Sequence, residues 1–108
     1  MKLEIYQLKD DIDPRMEIHL QSYDNLMKMR GIRNNLKVYY KMVYQGDYDN
    51  VEGYEDTFMI LDKLYADINM NRFKNKDTFN GIGIKTSTIV GLDDTLYFCD
   101  EYGWEEIV

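Results

Sequence analysis

The stretch NLKVYYKMVYQG (residues 35–46) alternates in hydropathy with a period of two. One predicted face carries Leu36, Val38, Tyr40, Met42 and Tyr44, and the other carries Lys37, Tyr39, Lys41, Val43 and Gln45. This alternation is typical of a β-strand that rests one face on a core and turns the other toward water. The stretch therefore predicts a strand, and the segments around it decide which kind of sheet that strand joins.

Further strands are predicted on both sides of this stretch. KLEIYQL (residues 2–8) alternates well enough to open the fold as a strand. IGIKTSTIV (82–90) is apolar and β-branched, and GLDD (91–94) predicts a turn. TLYFCDEYGWEEIV (95–108) predicts a terminal hairpin that turns near Tyr102 and Gly103.

Two helices are predicted between these strands. SYDNLMKMRG (22–31) has a capping serine and a terminal glycine, which predicts a short first helix. TFMILDKLYADIN (57–69) follows a cap at Asp56 or Thr57, and its apolar residues recur at helical spacing: Phe58, Leu61, Leu64, Tyr65 and Ile68. Strands with inserted helices and no regular alternation favour an α+β fold, a single small domain over residues 1–108 with a mainly antiparallel sheet, two helices and a C-terminal β-hairpin.

Composition sets the class of protein. With 108 residues, 44% of them hydrophobic, 31% charged and one proline, the chain has the composition of one folded domain. It contains no apolar run of the roughly 18 to 20 residues that a membrane helix needs, and Met1 is not followed by a signal-peptide pattern. A single cysteine forms no internal disulfide, so a cytoplasmic location is expected.

Charge is distributed unevenly along the chain. Residues 1–54 carry eight bases against nine acids and residues 55–108 carry five against eleven, so the second half supplies −6 of the formal charge of −7. Nucleic-acid binding needs lysines and arginines that displace counterions, so direct binding to DNA or RNA is not expected. A basic protein surface is the partner that such a chain attracts.

Base-free acidic runs with tyrosine and tryptophan predict a protein interface. Residues 25–46 hold five bases and no acid, whereas residues 47–62 and 86–108 hold six acids each and no base. Aromatic side chains beside charge are enriched where proteins meet. The predicted partner-binding residues are Asp93, Asp94, Asp100, Glu101, Tyr102, Trp104, Glu105 and Glu106, with Asp47, Asp49 and Glu52.

Catalytic and metal-binding alternatives fit these residues less well. Cys99 as a nucleophile would need a basic neighbour, but Asp100 and Glu101 adjoin it, and a lone cysteine in an apolar strand is typically buried. The acids near the C-terminus do not follow the spacing of a calcium loop. Gly81 and Gly83 form a G-x-G without the third glycine of a dinucleotide fingerprint. No catalytic residue, metal or cofactor is predicted.

The segment FNGIGIKTSTIVGLDDTLYFCDEYGWEEIV (79–108) resembles the end of the YodL-like domain, a small module common on Firmicutes mobile elements. The residues that fall in step with that family are Phe79, Gly81, Ile89, Val90, Tyr97, Asp100, Gly103 and Trp104. The likeness extends to LEIYQL, SYDNL and YYKMVYQG, so it covers nearly the whole chain. The chain departs from the family where Gly83, Lys85 and Thr88 stand in place of two serines and an aspartate.

The resemblance implies a setting but no assigned activity. That setting is the accessory genes of plasmids, phages and conjugative elements, and hence the cytoplasm of a bacterial host. In size and charge the chain is similar to anti-CRISPR proteins against type II systems, several of which present acidic surfaces to the basic channels of the nuclease. Because guide and target are held there through backbone charge, a folded polyanion can compete for the channel.

Three functions follow as hypotheses. The first is an inhibitor that binds a type II RNA-guided nuclease and blocks engagement of guide RNA or target DNA. The alternative is a non-enzymatic adaptor or regulatory protein of a mobile element that binds another element-encoded protein. A third, a nuclease acting on guide RNA, needs a base or metal cluster that the sequence does not contain.

Self-association is also predicted. A base-only run and acid-only runs on one small domain would attract identical chains, and a symmetric dimer is the commonest homo-oligomer. The second face of the strand at residues 35–46 would be only half suited to water. The expected dimer residues are Lys37, Tyr39, Lys41 and Val43. Alternatively, the two lysines keep an edge strand soluble.

Overall fold

In the computed structural model of the chain, residues 1–9, 39–49, 52–70, 72–73, 83–84, 86–100 and 103–107 are described. Their elements follow the order β1 (Lys2–Leu8), β2 (Tyr40–Asp47), α1 (Thr57–Asn69), β3 (Ile89–Leu92), β4 (Thr95–Asp100) and β5 (Gly103–Ile107). The α+β class, the opening strand and the terminal hairpin are confirmed. The described ranges hold one helix, not two, because the predicted helix at residues 22–31 lies outside them.

The five strands form one sheet in the order β2-β1-β3-β4-β5, and each neighbouring pair is antiparallel. The register pairs Lys2 with Asp47 and Leu3 with Leu92. The start of β1, the end of β2 and the turn between β3 and β4 therefore lie together, at what is termed the turn end. The opposite end of the sheet, where β4 stops at Asp100 and β5 starts at Gly103, is termed the hairpin end.

The turn between β3 and β4 is tighter than the sequence predicts. Gly91 and Leu92, expected in the turn, belong to β3, and Leu92 pairs directly with Thr95. Asp93 and Asp94 alone make the turn, with φ of 46° and 76°. Positive φ at both central residues matches the right-handed twist of a two-residue hairpin, and Asp tolerates this conformation. The predicted strand at 82–90 is wrong in its bounds, because β3 begins only at Ile89.

A β-bulge in β2 overturns the predicted faces of this strand. Ile5 pairs with Tyr44 and Tyr6 pairs with Met42, so Val43 is the extra residue. The bulge turns both Val43 and Tyr44 into the helix-side core, where Val43 is 3% exposed, and leaves Met42 46% exposed. The expectation that Val43 faces water beside Tyr39 and Lys41 is therefore wrong, and Val43 is not available to a dimer surface.

α1 covers one face of the sheet. Asp56 caps it, as predicted, because its Oδ1 accepts a hydrogen bond of 2.9 Å from the Phe58 amide. The helix buries Ile60, Leu61, Leu64 and Ile68. These side chains join a core cluster with sheet residues that include Leu3, Ile5, Val43, Val90, Leu92, Tyr97 and Cys99. Of the helical segments in the described ranges, none combines the length and apolarity that a bilayer crossing requires.

The opposite face of the sheet holds a second buried cluster of Leu8, Tyr40, Ile89 and Phe98. The Tyr40 hydroxyl donates a hydrogen bond of 2.8 Å to the Ser87 carbonyl. Burial raises the pKa of Tyr40, so this phenol stays protonated and remains a donor. The centre of the sheet is thus buried on both faces.

Candidate protein-binding surface

The fold does not gather the predicted acidic residues into one patch. Asp93 and Asp94 lie at the turn end with Asp47, whereas Asp100 and Trp104 lie at or near the hairpin end. Six residues of β4 separate the two turns, which is roughly 20 Å of extended chain. Asp49 and Glu52 are exposed in the segment between β2 and α1. Glu101 and Tyr102 lie outside the described residues.

At the turn end, the acids are tied to β1. The backbone amide of Lys2 donates a hydrogen bond of 2.8 Å to Oδ1 of Asp93, and the Asp93 amide donates one of 3.0 Å to the Lys2 carbonyl. The Lys2 ammonium lies 3.6 Å from Glu4 and 3.9 Å from Asp94, whose side chain is 90% exposed. Asp93 therefore holds the turn onto the first strand, and Lys2 offsets part of the negative charge.

The two glutamates of β5 point to opposite sides of the sheet. Glu106 pairs with Tyr97, which faces α1, whereas Glu105 pairs with Phe98, which belongs to the second cluster. Cross-strand partners share a face, so only Glu106 lies on the helix side. Trp104 pairs with Cys99 and lies on that side too.

α1 and the terminal hairpin together form an aromatic and acidic surface. The rings of Phe58 and Tyr97 meet edge to face with centroids 6.0 Å apart. Nε1 of Trp104 donates a hydrogen bond of 3.2 Å to Oδ1 of Asp62. These contacts place one flank of the helix along β4 and β5. The surface is termed the helix–hairpin face and consists of Phe58, Asp62, Tyr65, Trp104 and Glu106.

A cleft of about 230 Å³ opens within this face. Its lining consists of Asp62, Tyr65, Thr86, Cys99, Asp100, Gly103 and Trp104. Burial raises the pKa of the Cys99 thiol to about 12, and the charges of Asp100 and Asp62 raise it further. The predicted burial of this cysteine is confirmed, since its side chain lies in the core. The thiol is neutral at physiological pH, so it adds no charge to the cleft.

The other flank of α1 carries a tight polar cluster. The Tyr48 hydroxyl donates a hydrogen bond of 2.7 Å to Oδ2 of Asp67, and Nζ of Lys63 lies 2.7 Å from the same oxygen. Burial raises the pKa of Tyr48 to about 12, although the hydrogen bond from Lys63 opposes this. Nε of Arg72 lies 3.8 Å from Oδ1 of Asp67.

This cluster joins α1 to the end of β2, beside an open cleft of about 590 Å³. Burial opposes ionisation of Asp67, but hydrogen bonds from Lys63 and Tyr48 outweigh it and lower the Asp67 pKa. Lys63 and Arg72 both lie beside the Asp67 carboxylate, so the described residues of this cluster carry no surplus of negative charge. Within the described ranges, no three His, Cys, Asp or Glu side chains converge as metal ligands.

Sequence reasoning missed the contribution of α1 to the surface. Phe58 and Tyr65 were expected in the core, yet they are 44% and 43% exposed. Successive helical residues turn by about 100°, which places both rings roughly a quarter turn from the centre of the buried stripe. Asp62 lies between them, one turn from each. The spacing of residues 58, 62 and 65 along one flank is the signal that could have identified this surface.

Fold and surface together define the class: a small antiparallel α+β domain with a helix over one face of its sheet and an acidic, aromatic flank. The YodL-like domain family model matches residues 2–108, and the chain belongs to that family. This confirms the resemblance that residues 79–108 suggest. No curated protein and no solved structure matches the chain.

Proposed function

We propose that the chain is a non-enzymatic protein-binding domain whose helix–hairpin face engages a basic surface of another protein. The observation behind this is the exposure of Phe58 and Tyr65 on a face that also carries the exposed carboxylates of Asp62 and Glu106 and, as defined, none of the described bases. Exposed aromatic rings gain free energy when a partner covers them, and the surrounding carboxylates select a positive partner. The turn end offers no such combination among its described residues.

In its specific form, the partner is a type II RNA-guided nuclease. Such a nuclease holds its guide–target duplex through backbone charge in a positive channel. A folded domain of charge −7 is drawn to that channel and, once bound, blocks guide RNA or target DNA. The mobile-element setting that the family resemblance implies supports this target, and the chain itself makes no direct contact with nucleic acid under this proposal.

The test measures binding of the purified chain to purified type II nucleases, with and without guide RNA, together with plasmid interference in cells. Binding that competes with guide or target and that protects the plasmid supports the proposal. Phe58→Ala is expected to weaken binding about tenfold or more, as interface aromatics do. Met42→Ala is the matched control, because Met42 is similarly exposed on the opposite side of the sheet.

Undiminished cleavage by every nuclease tested would end the specific form of the proposal. A pull-down from host lysate then separates the remaining possibilities. Capture of an element-encoded conjugation or replication factor, sensitive to Phe58→Ala and not to Met42→Ala, would favour the adaptor function. Equal sensitivity to both substitutions would contradict the helix–hairpin face as the interface.

A further inference from the structure

β5 is the last strand on one side of the sheet, and the hydrogen bonds of its neighbour show which backbone groups it turns outward. The Cys99 amide donates a hydrogen bond of 2.8 Å to the Thr88 carbonyl, so Cys99 directs its backbone groups toward the chain that leads into β3. In an antiparallel ladder this direction alternates from residue to residue. Cys99 pairs with Trp104, so Trp104 and Glu106 direct their amide and carbonyl groups away from β4. None of the described strands lies on that side.

The two edges of the sheet differ in how well they could accept another strand. At the β2 edge, a bulge at Val43 interrupts the register and Lys41 is exposed, and both features are common means of keeping an edge strand unpaired. β5 pairs with β4 in one unbroken register over Gly103–Ile107, and this strand contains no lysine and no proline. The outer edge of β5 is therefore regular enough to pair with an extended segment.

The side chains of β5 select the charge of such a segment. Glu105 and Glu106 are exposed on opposite faces, and neither carboxylate pairs with a base in the described part of the chain. A second copy of β5 in full antiparallel register would set Glu105 directly against Glu105 of the copy, which is unfavourable. A segment with two consecutive basic residues would instead place one beside each carboxylate, because neighbouring residues of a strand point to opposite faces.

We infer that the outer edge of β5 receives an antiparallel β-strand of the partner protein, with residues in the order apolar, basic, basic, apolar. These four residues lie opposite Ile107, Glu106, Glu105 and Trp104 in turn. About four backbone hydrogen bonds join the added strand to Trp104 and Glu106. The inference rests on the proposed function, because Trp104 and Glu106 belong to the helix–hairpin face, and it specifies the part of the basic partner that binds there.

The test titrates the capped peptide Thr-Val-Lys-Arg-Val-Thr into the isotope-labelled full chain and follows its NMR spectrum. The peptide should shift the backbone amide signals of Trp104 and Glu106 in a saturable way. The indole N–H signal should move with them, and it is unambiguous because the chain has one tryptophan. A peptide with glutamine in place of both basic residues is expected to bind about fivefold more weakly.

Backbone N-methylation distinguishes strand pairing from attraction between charges alone. The lysine of the peptide lies opposite Glu106 and directs its amide toward β5, so methylation of that amide should weaken binding about tenfold. The arginine lies opposite Glu105 and directs its amide away from β5, so methylation there should change affinity less than about threefold. The two methylated peptides carry the same charge, so each is the matched control for the other.

Two substitutions of Glu106 make the corresponding test on the chain itself. Glu106→Gln removes the charge and should weaken the peptide about threefold. Glu106→Pro also removes the outward amide and should weaken it about tenfold further. That amide makes no bond to β4, and proline is tolerated at such positions of an edge strand, so the sheet is retained and circular dichroism checks this. Asp94→Asn removes one charge at the turn end and should alter affinity less than twofold.

Equal weakening by the two methylated peptides, absence of shifts at Trp104 and Glu106, or equal weakening by Asp94→Asn and Glu106→Gln would each overturn strand pairing at β5. If the peptide fails but a protein partner still binds with sensitivity to Phe58→Ala, only strand pairing is wrong and the proposed function stands. If the peptide binds as expected but no basic protein partner does, β5 stands as a strand-binding edge and the proposed function is wrong.

Discussion

The turn end and the helix–hairpin face both take acids from base-free stretches of sequence, but they use them differently. At the turn end, Asp93 accepts a hydrogen bond from the backbone of Lys2, and the Lys2 ammonium lies within 3.9 Å of Asp94. On the helix–hairpin face, Asp62 holds the Trp104 indole and adjoins exposed rings. The first region uses its acids to hold the fold together, and the second presents them to solvent beside apolar area.

This difference shows that acidic residues close together in the sequence do not necessarily share one surface in the fold. The run at residues 86–108 looks like one acidic segment, but β4 carries Asp94 and Asp100 to opposite ends of the sheet. β5 then turns Glu105 and Glu106 to opposite faces. Residues distant in sequence, such as Asp62 on α1, complete the surface instead.

The largest expected effect concerns Cys99, which lines the cleft. At pH 8, raising the pKa to about 12 from an ordinary value near 9.0 lowers the thiolate fraction roughly a thousandfold. Alkylation by iodoacetamide should therefore be at least about a hundredfold slower in the folded chain than in urea. Asp62→Asn or Asp100→Asn should raise the rate severalfold, and Asp94→Asn should leave it unchanged. Fast alkylation of the folded chain would contradict the burial of this thiol.

Replacing Asp93 tests the structural role of the turn end. Asp93→Ala removes the acceptor for the Lys2 amide and leaves at φ 46° a residue without the polar side chain that makes this conformation tolerable. It should lower the free energy of unfolding by about 2 kcal/mol, measured by urea denaturation. Asp93→Asn keeps the acceptor and the tolerance for positive φ, so it should cost less than about 0.5 kcal/mol. Equal losses from both substitutions would mean that charge, not the hydrogen bond, holds the turn.

Asp67 provides a third case, an acid that is paired with the cations Lys63 and Arg72 on the flank of α1 away from the helix–hairpin face. Asp67→Asn should lower the free energy of unfolding by about 1 to 2 kcal/mol, since Lys63 loses its partner in a partly buried site. The pKa of Asp67 is lower in the folded chain than its ordinary value of 3.8. The ionised carboxylate therefore contributes fully to the free energy of unfolding above pH 3.8, and this contribution is lost as the pH falls through the folded pKa. The difference in free energy of unfolding between the unsubstituted chain and Asp67→Asn should be smaller at pH 3 than at pH 7. An equal difference at both pH values would contradict this.

Local patterns in the sequence predict much of the fold. The bounds of α1 and its Asp56 cap follow from helical spacing and capping chemistry, and β1 and the terminal hairpin follow from alternation and turn residues. The bulge at Val43 and the true start of β3 could not be predicted, because both depend on which strands pair and in what register.

The candidate surface was predicted only in part. Trp104 and Glu106 were named from their run, and the register places both on the helix side of the sheet. Phe58, Asp62 and Tyr65 were not named, because periodicity alone does not show where a buried stripe ends. The dimer remains a prediction: Lys37 lies outside the described residues, Tyr39 packs against the second cluster, and Val43 is in the core.

The most direct test of the central claim compares two double variants of equal charge. Asp62→Asn with Glu106→Gln removes two charges from the helix–hairpin face, and Asp93→Asn with Asp94→Asn removes two charges from the turn end. Calorimetric affinity for the basic partner, a type II nuclease in the first instance, should fall about tenfold or more for the first pair and less than twofold for the second. Equal losses, or a greater loss for the turn-end pair, would show that the helix–hairpin face is not the binding surface.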